Sequence, residues 1–351
     1  MPPHRRAPYL LPLLALAVAP LTLAGEPVAV VGSATFAPLA RQVALRASAS
    51  PEGGDYRIEA GGTVAGIQAF CAGEGQAYPD ILNASRRMRD AEVDACTAQG
   101  VTAIVEVKVG YDGVTLLSAG PERLNLGVRD LYLALARQVP DPGGADQLVA
   151  NPYRSWREVN PALPDTPIRV LASAAASGTR DSLAELALEA GCAQVDAGRR
   201  LVGRSRHRMA ELCRPLRQDG PWHELPGGAG ELTQALRADP QAIGVTGWHA
   251  VADSRAGLKT LAVEGTPPSP LAIATGAYPL SRPLFVYFKK GRLESGPAIQ
   301  GYVKEVTSDA AWGGDGYLAG AGLVPMMQEE RQQYSYIAGH SVEPACPPFC
   351  H

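Results

Sequence analysis

The chain reads as an α/β protein built on a largely parallel central sheet, and three observations predict it. Short apolar runs of strand length alternate with longer helical runs from residue 28 onward. Small hydroxyl residues cluster just beyond several predicted strands, at the carboxyl ends where open α/β sheets bind ligands. At 351 residues the chain also exceeds one ordinary domain, so two lobes are expected, with core enough to fold without covalent staples.

The first segment stands apart from the fold. Arg5 and Arg6 precede an apolar run from Tyr9 to Val18, and Pro20-Leu21-Thr22-Leu23-Ala24-Gly25 follows. This is the pattern of a secretory signal peptide cleaved near Ala24; the run is too short, and too interrupted by Pro12 and Pro20, for a membrane span. Residues 1–24 are therefore expected to be a leader, and the mature chain periplasmic or secreted. Lys and Arg number 32 against 35 Asp and Glu, a net charge of -3; losing Arg5 and Arg6 leaves 30 against 35, or -5. Such a mildly acidic balance leaves no electrostatic footprint for nucleic acid.

Strand Val28 to Val31 is followed by a helix from Pro38 to Ala47, strand Tyr56 to Glu59 and a helix from Val64 to Cys71. Strand Pro79 to Leu82, helix Asp90 to Ala98 and strand Thr102 to Val109 continue the alternation. In the second half, strand Ile168 to Leu171 precedes a helix from Asp181 to Ala190, and Val139 to Gly144 reads as a loop. The basic stretch 199–208 reads as a solvated helix face, and the tail after Glu329 as peripheral.

The hydroxyl clusters are Gly32-Ser33-Ala34-Thr35-Phe36, Asn83-Ala84-Ser85-Arg86 and Ala176-Ser177-Gly178-Thr179-Arg180, with Thr63 after the second strand. Glycine and serine allow tight turns, the free N–H groups of a following helix point inward, and arginine adds a forked charge. These are the ingredients of an oxyanion site in a cleft fed by both halves, a site that needs no catalyst. Taken singly, Thr35, Thr63 and Ser177 could be helix caps and Arg86 a surface charge.

Six cysteines fall into sequence-local pairs, Cys71 with Cys96, Cys192 with Cys213 and Cys346 with Cys350. Short loops and an oxidising destination favour three disulfides in that order, out of 15 arithmetically allowed pairings. No C-x-x-C pair supports zinc. G-x-S-x-G, H-E-x-x-H and G-K-[ST] are all missing, and His207, His223 and His249 are scattered, so neither an enzyme nor a cofactor is expected. The enzymatic alternative is a secreted phosphoester hydrolase using Ser177 as nucleophile.

Taken together, the segments resemble the periplasmic phosphate-binding proteins of the phosphate ABC transporter. The resemblance runs through Gly32 to Phe36, Phe70-Cys71-Ala72-Gly73, Asp80 to Arg86 with Glu92 and Cys96, Tyr111-Asp112-Gly113 and Ser177 to Asp181. It continues through Ile243 to Gly247, Tyr278 to Leu284 and Thr307 to Gly313, and so covers nearly the whole mature chain. It implies a type II periplasmic binding protein fold: two α/β lobes, a ligand cleft between them, and two crossing strands near Val107 to Thr115 and Tyr278 to Tyr287. Lobe I would comprise 26–109 plus 284–340, lobe II 110–283, and a tail 341–351.

The same resemblance implies that inorganic phosphate, or a related oxyanion, is bound by Thr35, Phe36, Thr63, Ser85, Arg86, Ser177, Gly178, Thr179 and Arg180. A monomer would then deliver it to a permease in the inner membrane. Some relatives carry an arginine just before the Ser-Gly-Thr loop, where this chain has Ser173-Ala174-Ala175-Ala176. The expected charge therefore rests on Arg180 and Arg86. Relatives with an aspartate at the position of Ser85 can accept the proton of phosphate there; here Asp181, Asp112 and Glu231 are the candidate substitutes.

Overall fold

A computed structural model describes residues 27–120, 124–173, 177–202, 205–226, 228–251 and 257–342. The expected leader, Cys346 and Cys350 lie outside the described residues.

The first half follows the predicted alternation closely: β1 (Val28–Gly32), α1 (Ala37–Ser48), β2 (Tyr56–Glu59), α2 (Thr63–Phe70), β3 (Ile81–Ala84) and α3 (Asp90–Ala98). In α1, Leu39, Ala40, Val43, Ala44 and Ala47 recur at helical spacing and are all buried. α3 starts where its sequence says it should, because the Glu92 carboxylate accepts the Arg89 N–H at 2.8 Å and Asp90 adds a second acid to the first turn. α2 opens after Gly62, whose φ of 97° is a turn that only glycine adopts without strain.

Beyond these come β4 (Ile104–Ser118), α4 (Val128–Leu135), β5 (Val170–Ser173), α5 (Ser177–Leu183), a π-helix (Ala184–Glu189) and α6 (Ala190–Gln194). They are followed by α7 (Arg206–Cys213), β6 (Trp222–Leu225), α8 (Ala229–Ala238), β7 (Ile243–Gly247), β8 (Lys259–Thr260) and β9 (Ser281–Lys289). The chain then closes through α9 (Pro297–Val306) and α10 (Gln328–His340).

Among the described residues, nine strands make one sheet in the order β2-β1-β3-β9-β4-β7-β5-β6, with β8 also on β4. Each flank is parallel, β1 with β2 and β3 on one side and β5 with β6 and β7 on the other. The centre differs from the largely parallel expectation: β9 is antiparallel to β3 and β4, and β4 is antiparallel to β7 and β8. Long antiparallel strands in the middle let the chain pass from one flank to the other and back. β4 accordingly outruns its predicted end at Val109, pairing first with β9 and then with β7.

Two large apolar clusters lie along these strands. Val105, Val107, Val286 and Phe288 belong to one, with Val30, Leu39, Val43 and Trp312. Val114 and Leu116 belong to the other, with Leu131, Tyr132, Trp156 and Val245. One strand therefore serves two cores, the construction of the two-lobed α/β binding fold with two crossing strands. Cys71–Cys96 and Cys192–Cys213 form as expected, tying α2 to α3 and α6 to α7. No helix among the described residues is long and apolar enough to cross a membrane.

Candidate functional site

A cavity of about 370 Å³ opens where the loops after β1, β2 and β3 face the later part of α5 and the π-helix that follows it. Ser33, Ala34 and Thr35 line it ahead of α1, Gly61 to Ala65 at the start of α2, and Ser85 and Arg86 after β3. From the second half come Asp181, Glu185 and Arg214, and from the crossing strand β9 comes Arg282. α2 has no side-chain cap, so its first-turn N–H groups are not consumed by Gly62; at α1 the Phe36 and Ala37 N–H groups go to Ser33 and Pro38 has none. Thr63 instead faces Ser85: the hydroxyls are 3.0 Å apart, and Thr63 Oγ1 accepts the Ser85 N–H at 3.2 Å.

Arg282 is the buried charge of the site, only 5% exposed. Its Nη2 donates to the hydroxyls of both Thr35 and Ser182. Each hydroxyl in turn donates to the Gly178 carbonyl, at 3.0 Å from Thr35 and 2.5 Å from Ser182. Gly178 is pressed so close that a Cβ there would sit 2.6 Å from the Thr35 backbone, which no larger residue could tolerate. Among the described residues Arg282 Nε has no hydrogen-bond partner, and Nη1 stands 3.9 Å from the Glu185 carboxylate. Burial pulls its pKa below the ordinary arginine value, while Asp112, Glu185 and Asp181 pull the other way.

The other two arginines are held by acids beside the cavity. Arg86 makes a two-pronged contact with Glu92, at 2.7 and 2.8 Å. Burial would lower the Arg86 pKa, but the Glu92 hydrogen bond and charge outweigh it and raise it; the same bond lowers that of Glu92 against burial. Arg214 donates through Nε to Glu189 at 2.5 Å, and its Nη2 lies 3.7 Å from Glu185. Glu185 thus stands among three guanidinium groups, with Arg86 Nε 3.9 Å away. Asp181 is pushed above the ordinary aspartate pKa by burial, against the pull of Arg282, Arg180 and Arg214.

A family model described as the PBP superfamily domain matches residues 17–310, most of the chain. The chain belongs to the PBP superfamily. Protein SphX of Synechocystis is 25% identical over 92% of this chain and 85% of its own length. The phosphate-binding protein PstS of Staphylococcus epidermidis is 24% identical over 82% and 77%. Among solved structures, a possible phosphate binding protein from Planctomyces limnophilus superposes with a TM-score of 0.69 at 23% identity, covering 90% of this chain and 99% of that one. An ABC-type phosphate transport receptor from Vibrio cholerae gives 0.59 at 17% identity, covering 86% and 99%. At such identities the structures speak for the fold alone.

Within this PBP superfamily chain, Thr35, Thr63, Ser85 and Arg86 meet at one cavity. Phe36 is fully buried in the apolar core, and its N–H donates to Ser33 Oγ at 3.3 Å. Ser177 opens α5, Gly178 contributes its carbonyl to the Arg282 network, and Thr179 is buried beside it. Arg180, expected to supply the charge, is outside the cavity lining: its side chain is 48% exposed and lies 3.3 Å from Glu224. Arg180 directly precedes Asp181 and Ser182 in α5, and the rotation of about 100° per helical residue turns its side chain away from theirs. The buried charge is Arg282, which the sequence reading placed only on a crossing strand. Its signal was there, an arginine just ahead of the unbroken apolar run Leu284 to Phe288. Arg214 and Glu185 had no such signal, since Arg214 follows a cysteine and Glu185 sits in a helix that the π-turn rewinds.

Proposed function

We propose that this chain is the receptor of a phosphate ABC transporter, taking up inorganic phosphate in the cavity between the two sides of its sheet. The observation that carries the reading is Arg282. Among the described residues this buried guanidinium donates to two hydroxyls and keeps Nε without a hydrogen-bond partner, and an oxyanion would complete its pairing. The uncapped start of α2 and the Thr63 and Ser85 hydroxyls supply neutral donors around the same space. Phosphate is favoured over sulfate because it keeps a proton at neutral pH, which Asp181 or Glu185 could accept, whereas either carboxylate repels a fully ionised anion.

The name of the phosphate-binding protein PstS relative supports this reading. Its further parts follow from it: lobe I at 26–109 plus 284–340, lobe II at 110–283, and a peripheral tail at 341–351. Export behind the leader at 1–24, a monomeric state and presentation of the loaded form to a membrane permease complete it. Two disulfides accord with an oxidising compartment. The site is read as binding without turnover, with Ser177 as part of the anion loop and not a nucleophile.

The test is calorimetric titration of phosphate and of sulfate into protein stripped of ligand by unfolding and refolding. Phosphate is expected to bind with a Kd of about 1 μM or tighter, some 8 kcal/mol. Sulfate should give no heat, and Arg282→Met should abolish the signal. Absence of heat with either anion, or hydrolysis of a chromogenic phosphomonoester by the purified protein, would overturn the proposal.

A further inference from the structure

We infer that the Cys192–Cys213 disulfide is a positioning device for the anion site: it holds Arg214 at the cavity, so that anion affinity depends on this bond and not on Cys71–Cys96. The inference rests on the oxyanion-binding reading above.

Arg214 is the residue after Cys213, directly beyond the end of α7. Its backbone N–H donates to Ala210 at 3.3 Å and its φ and ψ continue the helix, so the direction of its side chain follows that of α7. Beyond Arg214 the chain is pinned, with the Pro215 carbonyl accepting the Arg137 N–H at 2.7 Å and the Arg217 N–H donating to Leu135 at 2.9 Å, but α7 itself, the segment that aims Arg214, has few anchors. Among its described side chains Cys213 is the one fully buried; Met209 and Leu212 are half-buried against the core, and Arg208 and Glu211 are exposed. Eight residues with so small an apolar face do not hold a helix in place by themselves.

Across the bond, Cys192 is fully buried on α6, which continues directly from the π-helix carrying Glu185 and Glu189. The bond therefore joins the cavity arginine to the helical segment that bears its two acidic partners. Glu189 and Glu185 are partly exposed, as is Arg214. These ion pairs orient the guanidinium once the backbone is in place, but they do not fix the backbone. Cys71–Cys96 differs in kind. Cys71 caps the far end of α2, a full helix away from Thr63, and Thr63 is independently tied to Ser85.

The experiment is phosphate titration of oxidised wild type, Cys192→Ala/Cys213→Ala, Cys71→Ala/Cys96→Ala, Arg214→Gln, and Arg214→Gln combined with the first pair. Loss of the Cys192 bond and loss of the Arg214 charge are each expected to weaken binding about tenfold, the worth of one charge-assisted hydrogen bond. Combined, they should weaken it by the same factor and not by about a hundredfold, because both act through one guanidinium. The Cys71 pair should change affinity by less than about threefold, since ~0.6 kcal/mol separates such values.

Should the Cys192→Ala/Cys213→Ala protein fail to fold, reduction offers the same readout in a background with Cys71, Cys96, Cys346 and Cys350 all changed to alanine. A water-soluble phosphine converts the remaining S–S bond to two thiols and becomes the phosphine oxide with oxygen from water. Unchanged affinity on opening the bond, unchanged affinity in Arg214→Gln, or additive losses in the combined variant would each overturn the inference while leaving the receptor reading intact. If oxidised wild type binds neither phosphate nor sulfate, the receptor reading itself fails and the inference falls with it.

Discussion

The two faces of the cavity are built by different means. On the β1–β2–β3 side the polar groups are short and close to the backbone: the Thr35, Thr63 and Ser85 hydroxyls and the uncapped start of α2. Opposite them stand long charged side chains: Arg282 from the crossing strand, with Asp181, Glu185 and Arg214 from the second half. A backbone donor is fixed by the fold and costs little to aim, whereas a charged fork must be buried and held by other groups before it can discriminate between ligands. Affinity should therefore be concentrated in the second face and shape in the first.

The sharpest way to test that contrast is Arg282→Met. Two charge-assisted hydrogen bonds at about 1.5–3 kcal/mol each would be lost, so affinity should fall by at least about a hundredfold. Thermal stability should stay the same or rise, because an incompletely paired buried charge is replaced by an apolar chain. A variant that melts well below wild type would instead make Arg282 a strut of the crossing strands.

Thr63→Val probes the opposite face. The substitution keeps the shape but leaves the Ser85 N–H, now accepted by Thr63 at 3.2 Å, without that acceptor. A loss of roughly tenfold in phosphate affinity is expected, about 1.4 kcal/mol for a neutral hydrogen bond. If titration gives a loss as large as that of Arg282→Met, the division of labour between the faces is mistaken.

Glu92 lies just behind the first face, and its effect should be smaller and seen in stability. Burial would raise its pKa, but the Arg86 hydrogen bond, the Arg89 N–H and the charge of Arg86 together lower it. A carboxylate with a lowered folded pKa contributes stability above its ordinary value near 4.5 and loses it as pH falls through the folded value. Glu92→Gln should cost about 1 kcal/mol at neutral pH for this mostly buried pair and progressively less in acid. Melting curves of the two proteins across pH that keep a constant separation would refute the linkage.

The difference between the faces also sets how much was legible in the sequence. β1 through α3 follow from local pattern: apolar runs of strand length, helical spacing in α1, and an acidic first turn at Asp90 and Glu92. Their hydroxyl clusters fall at strand ends for the same local reason, so Thr35, Thr63 and Ser85 could be found by reading along the chain. The charged face depends on contacts between residues far apart in sequence. Arg282 reaches Thr35 across 247 positions and Ser182 across 100, and no spacing within β9 announces either partner. The same holds for β4, whose length is set by β9 and β7 and not by its own residues. A wider turn in the helix after Ser177 likewise decides where Glu185 points, and nothing in Ala184 to Glu189 marks it.

Arg180 gives the smallest expected effect and the most informative one. Position within the Ser-Gly-Thr-Arg segment made it the expected charge, yet its side chain is half-exposed beside Glu224 at 3.3 Å, while Arg282 occupies the interior. An exposed ion pair of this kind contributes little and is screened by salt. Arg180→Gln should therefore alter phosphate affinity by less than about twofold, with a correspondingly small change in melting temperature. Should it abolish binding as Arg282→Met is expected to, α5 must turn toward the anion when the site is filled, and the charged face would then be assembled by the ligand and not in advance of it.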